Sequence, residues 1–456
     1  MKILLFAAPF ENTSEQEASY PLGIAYLGAV LEKKGYEIKA YDFLFENWDK
    51  LLPKLKEIII SEKPDVIGLS SMTTNRTSSF KLAALAKKIN PNIKVIMGGV
   101  HPTLMYKQIL ENFPVDFIVL GEGEETMSEL ADFIKKKKGI SKFKKVKGIA
   151  FKLDNEIIKT EARPFLMNLD KLPMPNHLYF KDKIEKGKVF YLTSSRGCPY
   201  ACTFCSTSLH WGRMARRRSP KKVVEELKFL RKNFPDVNYA IFNDDEFLIN
   251  HDWVKEFCSL LAEEKLNLKW ACAARVTSIT DEIAKLIKSA GCDRVSLGLE
   301  SGSPKMLKYM NKCITLEQVS KAFNTCKKFN LQTNIFLMVG LPGEDSKTIN
   351  ETIEFTKKLS MSKVMYLPSV YHVFPGTQTY ELAKKQGFIS DNYWLTNKIA
   401  PFYTYENTKL KLLYWSFKIA FFHNLHNGKL LTFLSALFKT TFKFDQLKRV
   451  INRYFV

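Results

Sequence analysis

Three cysteines stand within one short stretch, Cys198-Pro199-Tyr200-Ala201-Cys202-Thr203-Phe204-Cys205, directly after Thr193-Ser194-Ser195-Arg196-Gly197. Thiolates at this density are soft ligands suited to zinc or to an iron–sulfur cluster. On a four-iron cubane, three ligands leave one iron open to a substrate or cofactor. A structural zinc site would need a fourth ligand, which His210 offers. A disulfide pair fits less well, because nothing in the chain points to secretion. The other cysteines (Cys258, Cys272, Cys292, Cys313, Cys326) are scattered and outline no disulfide framework.

These residues need a scaffold, and the pattern around them supplies one. Residues 189–385 repeat strand then helix about six times, with strands expected at 189–194, 239–242, 269–273, 294–299, 333–339 and 364–369. Six such units fit a partial (β/α)6 barrel, whose chemistry belongs where strands end and loops begin. The cysteine loop falls at such an end. So do Asn243-Asp244-Asp245-Glu246, Arg275, Ser296 with Glu300, and Gly340-Leu341-Pro342-Gly343-Glu344. Upstream, residues 1–140 alternate apolar strands (3–8, 38–42, 66–70, 93–97, 117–120) with amphipathic helices (22–34, 51–61, 79–89, 125–136). Continuous apolar strands between helices argue for a doubly wound parallel sheet, with ligands at the carboxyl ends of its strands. Small residues gather at those ends: Ser70-Ser71, Gly98-Gly99 and Gly121-Glu122. No G-x-G-x-x-G fingerprint is present, which argues against a nicotinamide cofactor. Residues 141–188 read as a hairpin turning at Asp154-Asn155 and a proline-punctuated linker. Residues 386–456 read as a small helical region with two very apolar segments, 414–422 and 430–438.

The C-x3-C-x2-C spacing, with an aromatic before the third cysteine, resembles the radical SAM signature. The resemblance implies that Cys198, Cys202 and Cys205 hold a [4Fe-4S] cluster and that S-adenosylmethionine (SAM) chelates the fourth iron, with Phe204 against the adenine. One electron from the cluster would cleave SAM, and the resulting 5′-deoxyadenosyl radical would abstract a hydrogen from an unactivated position. It further implies that Asn243, Asp244 and Asp245 receive the methionine amine. Arg275 pairs with the carboxylate, Ser296 and Glu300 face the ribose and amine, and Gly340 and Pro342 admit the adenine. Read without the resemblance, the same residues also make an acidic turn, a rim ion pair and an ordinary glycine turn. The wording Tyr20-Pro21-Leu22-Gly23, Gly98-Gly99-Val100-His101 and Gly121-Glu122-Gly123-Glu124 is similar to the cobalamin-binding domain that precedes some radical SAM barrels. That implies cobalamin at Ser70, Ser71, Gly98, Gly99, Gly121 and Glu122. The Asp-x-His-x-x-Gly pattern that gives cobalt a lower histidine in many cobalamin proteins is absent. Residues 7–20 hold no histidine, and His101 reads as a packing or loop-capping residue.

The domain order resembles enzymes that methylate unactivated carbon, and members of that class also run cyclisations and rearrangements without methyl transfer, so a cobalamin-dependent radical cyclase or mutase is the alternative. A small-molecule substrate is implied, a lipid or tetrapyrrole among the choices, with flavodoxin or ferredoxin as electron donor. The net charge of +22 would also suit nucleic acid or an anionic membrane surface. A zinc-stabilised RNA-binding protein is therefore the non-enzyme reading, centred on Arg213, Arg216, Arg217 and Arg218 beside Trp211 and Phe204. Against it, Ser219-Pro220 reads as a helix cap with proline at the first helical position, so the arginines introduce a barrel helix. No signal peptide and no eighteen-residue apolar window is evident, so a cytoplasmic protein is expected. The tail's apolar residues beside Lys409, Lys411, Lys418, Lys429, Lys439 and Lys443 suit either burial against the barrel or peripheral membrane contact.

Overall fold

The computed structural model describes residues 1–10, 19–359 and 365–441. Residues 11–18 of the histidine-free loop, Val364 of the expected sixth barrel strand and Lys443 of the tail lie outside the described residues. The first region runs β1 (Lys2–Ala7), α1 (Leu22–Lys33), β2 (Glu37–Asp42), α2 (Trp48–Glu62), β3 (Val66–Ser70), α3 (Arg76–Ile89), β4 (Lys94–Gly98), α4 (Val100–Asn112), β5 (Phe117–Val119), α5 (Glu124–Lys135), β6 (Ile149–Leu153) and β7 (Glu156–Lys159). The second begins α6 (Lys181–Gly187), β8 (Phe190–Leu192), β9 (Ser195–Arg196), α7 (Thr207–Trp211), β10 (Arg216–Arg217), α8 (Pro220–Asn233), β11 (Tyr239–Phe242), α9 (His251–Glu263) and β12 (Lys269–Ala274). It continues α10 (Asp281–Ser289), β13 (Cys292–Glu300), α11 (Pro304–Tyr309), α12 (Leu316–Lys328), β14 (Gln332–Val339), α13 (Ser346–Lys357), β15 (Ser369–Val370) and α14 (Gln378–Lys385). Two helices close the described chain, α15 (Lys409–His426) and α16 (Leu430–Thr441).

The first sheet has the order β2-β1-β3-β4-β5-β6-β7. Its first five strands are parallel, and β6 and β7 join antiparallel at the β5 edge. The strands are apolar throughout because both faces are covered. In β1, Ile3, Leu5 and Ala7 enter the core under α1 and α5, while Leu4 and Phe6 enter the one under α2, α3 and α4. The β6–β7 turn places Asp154 and Asn155 at φ 48° and 66°, the left-handed pair of a two-residue hairpin. Helix α4 is not expected from the sequence, where Gly98-Gly99 and the residues after them read as a loop. Pro102 lies in its first turn, where the missing N–H costs nothing, and Met105 (φ −118°) kinks it, so its apolar stripe is broken. Buried Arg76 of α3 reaches across to the C-terminal region. Its guanidinium donates to the carbonyls of Thr73 (2.9 Å), Trp394 (3.0 Å), Thr396 (2.8 Å) and Lys398 (2.5 Å).

The second sheet is parallel, in the order β8-β11-β12-β13-β14-β15, an open half-barrel. Its last strand is shorter and later than expected, Ser369–Val370 against Met338 and Val339. Ser219 caps α8 through Lys222 N, with Pro220 in the first turn. Helix α15 packs against α13 and β14, burying Leu412, Trp415 and Ile419, whereas Leu410, Tyr414 and Leu425 stay exposed. Among the described residues no helix is long and apolar enough to cross a membrane.

Candidate functional site

The cysteine loop leaves β9 and returns on β10, and the antiparallel pairing of Arg196 with Arg216 closes its base. Gly197 starts the loop at φ +86°, and a side chain there would collide with the Met214 carbonyl. Inside the loop, Cys205 N donates to Cys202 O (3.2 Å) and Thr203 N to Met310 O (3.1 Å). The three thiols are half-buried. Burial pushes the Cys198 thiol up to about 11, with Asp245, Cys205 and Glu246 acting in the same sense. Burial also raises Cys202, against Lys312 and Arg275. Thiols held this way become thiolates when a cationic centre compensates them, which is the chemistry of a metal or cluster ligand set. Among the described residues no three His, Cys, Asp or Glu side chains are drawn together closely enough to hold a single metal ion.

The other barrel residues named from the sequence surround this loop. Asp244 is buried and accepts from Ser194 N (3.0 Å), Ser194 Oγ (2.6 Å) and Ser195 Oγ (2.5 Å), so its carboxylate anchors the strand that feeds the loop. Asn243 and Asp245 are exposed at the rim, and Asp245 accepts from Thr207 Oγ1 at 3.0 Å. Among the described residues Arg275 makes no rim ion pair with an aspartate. Its guanidinium lies 3.6 Å over the Tyr200 ring and donates to Lys312 O, while its own N–H donates to Glu246. Burial pushes the Glu246 carboxyl up to about 7. Glu300, at φ +71°, accepts from Lys312 Nζ at 2.9 Å, and that ammonium lies 5.9 Å from the Phe204 ring centroid. Ser296 lies beside Ala273 and Asn334 on the half-buried row of the strands. Gly340 (φ +92°) donates to Glu344, Pro342 is buried, and the space a side chain at 340 would need is taken by Leu412 of α15, 3.1 Å away. The glycine there serves the protein's own packing. Glu246 is marked only by its place at the end of a strand, and Tyr200 and Lys312 carry no signal of their own in the sequence, where no spacing distinguishes them.

All six residues singled out in the first region meet at one cavity of about 270 Å³. Ser70, Ser71, Gly98, Gly99, Gly121 and Glu122 line it, together with Leu5, Gly68, Ile96 and Met127. Gly99 sits at φ +107°, and a Cβ there would stand 2.5 Å from Ser71 O. His101 does not line the cavity. It is buried, with Nδ1 3.2 Å from Thr73 Oγ1 and its ring against Trp394, and burial drives its pKa down to about 3. The barrel completes the wall with His210 and Trp211 of α7. An ion-pair cluster holds that wall to the sheet. Glu122 Oε1 accepts from Arg196 (3.0 Å) and Arg216 (2.8 Å), its Oε2 accepts from Leu166 N (2.8 Å), and Arg196 also reaches Glu124 (2.5 Å). Burial acts to raise the Glu124 carboxyl, but Arg196 beside it brings the net value below the usual range. Arg218 pairs with buried Glu226. Arg216, Arg217 and Arg218 are thus engaged internally while Arg213 stays exposed, so three of the four arginines of the RNA-binding reading are turned to the protein's own partners. A gap bounded by glycine backbone on one side and aromatic rings on the other fits a broad, flat ligand with polar edges.

Residues 192–356 match the radical SAM superfamily and residues 15–131 the B12 binding domain. The chain is 32% identical over 403 residues to an uncharacterized methyltransferase of Pyrococcus horikoshii, covering 87% of this chain and 85% of that one. It is also 32% identical over 346 residues to an anaerobic magnesium-protoporphyrin IX monomethyl ester cyclase of Rubrivivax gelatinosus, covering 74% of this chain and 62% of that protein. In three dimensions it is similar to the radical SAM methyltransferase TsrM of Kitasatospora setae, whose structure holds a tryptophan substrate and a SAM analogue. The TM-score is 0.72 at 18% identity, over 84% of this chain and 76% of that one.

Proposed function

The chain belongs to the cobalamin-dependent radical SAM methyltransferases, and on that premise we propose that it methylates an unactivated carbon of a hydrophobic small molecule. When bound, the cluster supplies one electron to SAM and cobalamin supplies a transferable methyl group. In this reading Cys198, Cys202 and Cys205 hold the cluster. Asn243, Asp245, Arg275, Ser296 and Glu300 orient SAM, with Asp244 fixing the loop behind it. Ser70, Ser71, Gly98, Gly99 and Gly121, with the backbone of Glu122, cradle cobalamin.

One observation carries the proposal. The wall that closes the sheet's cavity, His210 and Trp211, lies just beyond the third cysteine within the same loop. A methyl carrier in the cavity and a radical source at the cysteines would therefore work on one substrate between them. The open face of the half-barrel favours an apolar substrate, because Phe336 in the middle of β14 is 52% exposed. A lipid or a tetrapyrrole has the required chemistry, and the cyclase relative's name supports the tetrapyrrole. That relative also supports a second reading, cyclisation without methyl transfer. We further propose a one-electron donor of the flavodoxin or ferredoxin kind, a cytoplasmic location, and peripheral membrane contact through Leu410, Tyr414, Phe417 and Leu425. The test is turnover of the anaerobically reconstituted enzyme with methyl-labelled SAM and a lipid and tetrapyrrole extract of the native host. Methyl transfer releases 5′-deoxyadenosine and S-adenosylhomocysteine together and puts label in an extractable product. Deoxyadenosine with an unlabelled, altered product overturns methylation in favour of cyclisation.

A further inference from the structure

Lys312 is 7% exposed, and a lysine is buried to that degree only when its charge is met. Its ammonium donates to Glu300 Oε1 at 2.9 Å. The same residue's carbonyl accepts from Nη2 of Arg275. Among the described residues that carbonyl is the guanidinium's hydrogen-bond acceptor; Nε is shut in without one, and the Tyr200 ring covers the face. Each of the two held groups keeps an atom in reserve. Glu300 Oε2 and Arg275 Nη1 have no hydrogen-bond partner among the described residues, and neither is sealed from solvent, so a ligand can reach both. The backbone is shaped around this arrangement. Glu300 sits at φ +71°, at a shift of register between β13 and β14, and Asn311 and Cys313 flank Lys312 at φ 52° and 51°. Left-handed backbone in residues other than glycine is sparsely populated and persists where the surroundings impose it. A Cβ on Gly298 would stand 2.7 Å from Glu300 Oε1 and 2.8 Å from Lys312 Nζ, so the glycine leaves the room that the ion pair occupies. The turn that carries Lys312 also holds the cysteine loop: Thr203 N donates to Met310 O at 3.1 Å and Asn311 Nδ2 to Ala201 O at 3.0 Å.

On the reading that Glu300 and Arg275 orient SAM, we propose that Lys312 is the positioning residue for that ligand. Its ammonium takes one oxygen of Glu300 and leaves the other to accept from the hydroxyls or the ammonium of SAM. Its carbonyl takes one nitrogen of Arg275 and leaves another for the SAM carboxylate. A carboxylate buried this deeply without a cation beside it favours its neutral form and is a poorer acceptor. Lys312 itself touches no reacting atom and acts through Glu300 and Arg275. Because Met310 and Asn311 of the same turn hold the cysteine loop, the cluster ligands and the groups that orient SAM share one support.

The experiment reads binding rather than turnover. The full chain, with its cluster reconstituted and left oxidised so that SAM is not consumed, is dialysed to equilibrium against labelled SAM. Lys312→Met keeps a side chain of similar length and removes the charge, and Lys312→Arg keeps the charge. Glu300→Gln and the double variant Lys312→Met, Glu300→Gln complete a cycle. Losing one charge-assisted hydrogen bond corresponds to about tenfold weaker binding. Lys312→Met should therefore bind SAM about tenfold more weakly, while Lys312→Arg stays within about threefold of the parent. Adding Lys312→Met to Glu300→Gln should cost less than about twofold more, since the lysine acts through that carboxylate. Iron content and the visible cluster band, unchanged from the parent, show that the loop is intact. Parent-like binding by Lys312→Met overturns the proposal, and so do losses that add in the double variant. Equal losses in Lys312→Met and Lys312→Arg also overturn it, because side-chain shape rather than charge would then be what matters. If Lys312→Met sheds its cluster because Glu300 is left stranded, the double variant, which strands no charge, decides: binding equal to that of Glu300→Gln supports the proposal, and a further loss overturns it. If Glu300→Gln binds SAM like the parent, the carboxylate does not face SAM and the underlying assignment fails, a result seen without any change at Lys312.

Discussion

Replacing Glu122 by glutamine tests how the sheet and the barrel are held together. The carboxylate serves three donors at once, Arg196 and Arg216 on Oε1 and Leu166 N on Oε2, with its side chain 9% exposed. Glutamine has one acceptor oxygen. If that oxygen faces the arginines, the amide nitrogen faces the Leu166 N–H and leaves it unmatched, a cost of about 1–3 kcal/mol. Two charge-assisted bonds also become bonds to a neutral acceptor, each weaker by about 1 kcal/mol. Arg196 keeps Glu124, which limits the loss on its side. The sum is about 3–5 kcal/mol, the range expected for breaking a buried ion pair. For a unit of roughly 200 residues this lowers the melting temperature by about 10 °C. Differential scanning fluorimetry at a fixed scan rate reads it, with Glu161→Gln as control, because Glu161 pairs with Lys147 while 72% exposed. An Arg216→Gln variant completes a cycle in which the double change costs less than the two single changes added. If Glu122→Gln melts within about 2 °C of Glu161→Gln, the cluster does not hold the two sheets and the reasoning fails.

Alanine at Cys198, Cys202 and Cys205 together should abolish the roughly four irons per chain and the visible charge-transfer band, and stoichiometric zinc in the parent would contradict the cluster. His101→Ala should bind hydroxocobalamin like the parent with an unchanged cobalt(II) spectrum, because that ring does not line the cavity. The same histidine makes stability pH-dependent. Its folded pKa of about 3 lies below the ordinary 6.5, so between those values the unfolded chain takes up a proton that the folded one refuses. Stability is therefore lost as pH falls from 6.5 towards 3, by about 2 kcal/mol from this group at pH 5, and His101→Gln should flatten that limb of a urea-midpoint profile. Full-length protein should float with anionic liposomes at low salt through the exposed residues of α15, and a Leu410→Glu, Tyr414→Glu variant should not; parent protein that stays at the bottom removes the case for membrane contact.

Much of this architecture is legible in the amino-acid order because it is local. Strands buried on both faces must be apolar throughout, which is how β1, β3 and β4 announce themselves, and the cysteine loop is a single short stretch. Ser219-Pro220 and Asp154-Asn155 mark a helix start and a turn through backbone chemistry alone. The missing parts depend on distance. Glu122 meets Arg196 and Arg216 across 74 and 94 residues, and no periodicity links them. Arg216, Arg217 and Arg218 read as one basic face, yet a strand alternates its sides, so neighbouring arginines meet different partners: Glu122, the Phe247 carbonyl and Glu226. Lys312 looks like any surface lysine until β13 and the turn after α11 bring it to Glu300. His210 reads as a candidate zinc ligand because it is near the cysteines in sequence; its place in the cavity comes only from how the barrel docks on the first sheet.

The Arg76 clamp has a consequence for how the chain is made. Three of its carbonyl acceptors, on Trp394, Thr396 and Lys398, are translated more than 300 residues after it. A nascent chain that has just completed the first sheet can bury the apolar side of α3 but must leave this guanidinium in water, since burying a charge with only the Thr73 carbonyl to accept from it costs several kcal/mol. The sheet therefore stays unfinished on that face while the whole barrel emerges from the ribosome. It closes when residues 394–398 arrive and lay their carbonyls over Arg76 and the Trp394 ring over its guanidinium, 5.2 Å away. A late step of assembly thus takes place at one of the first helices synthesised, and a chain that stops before residue 394 presents an open groove along α3 to chaperones and proteases.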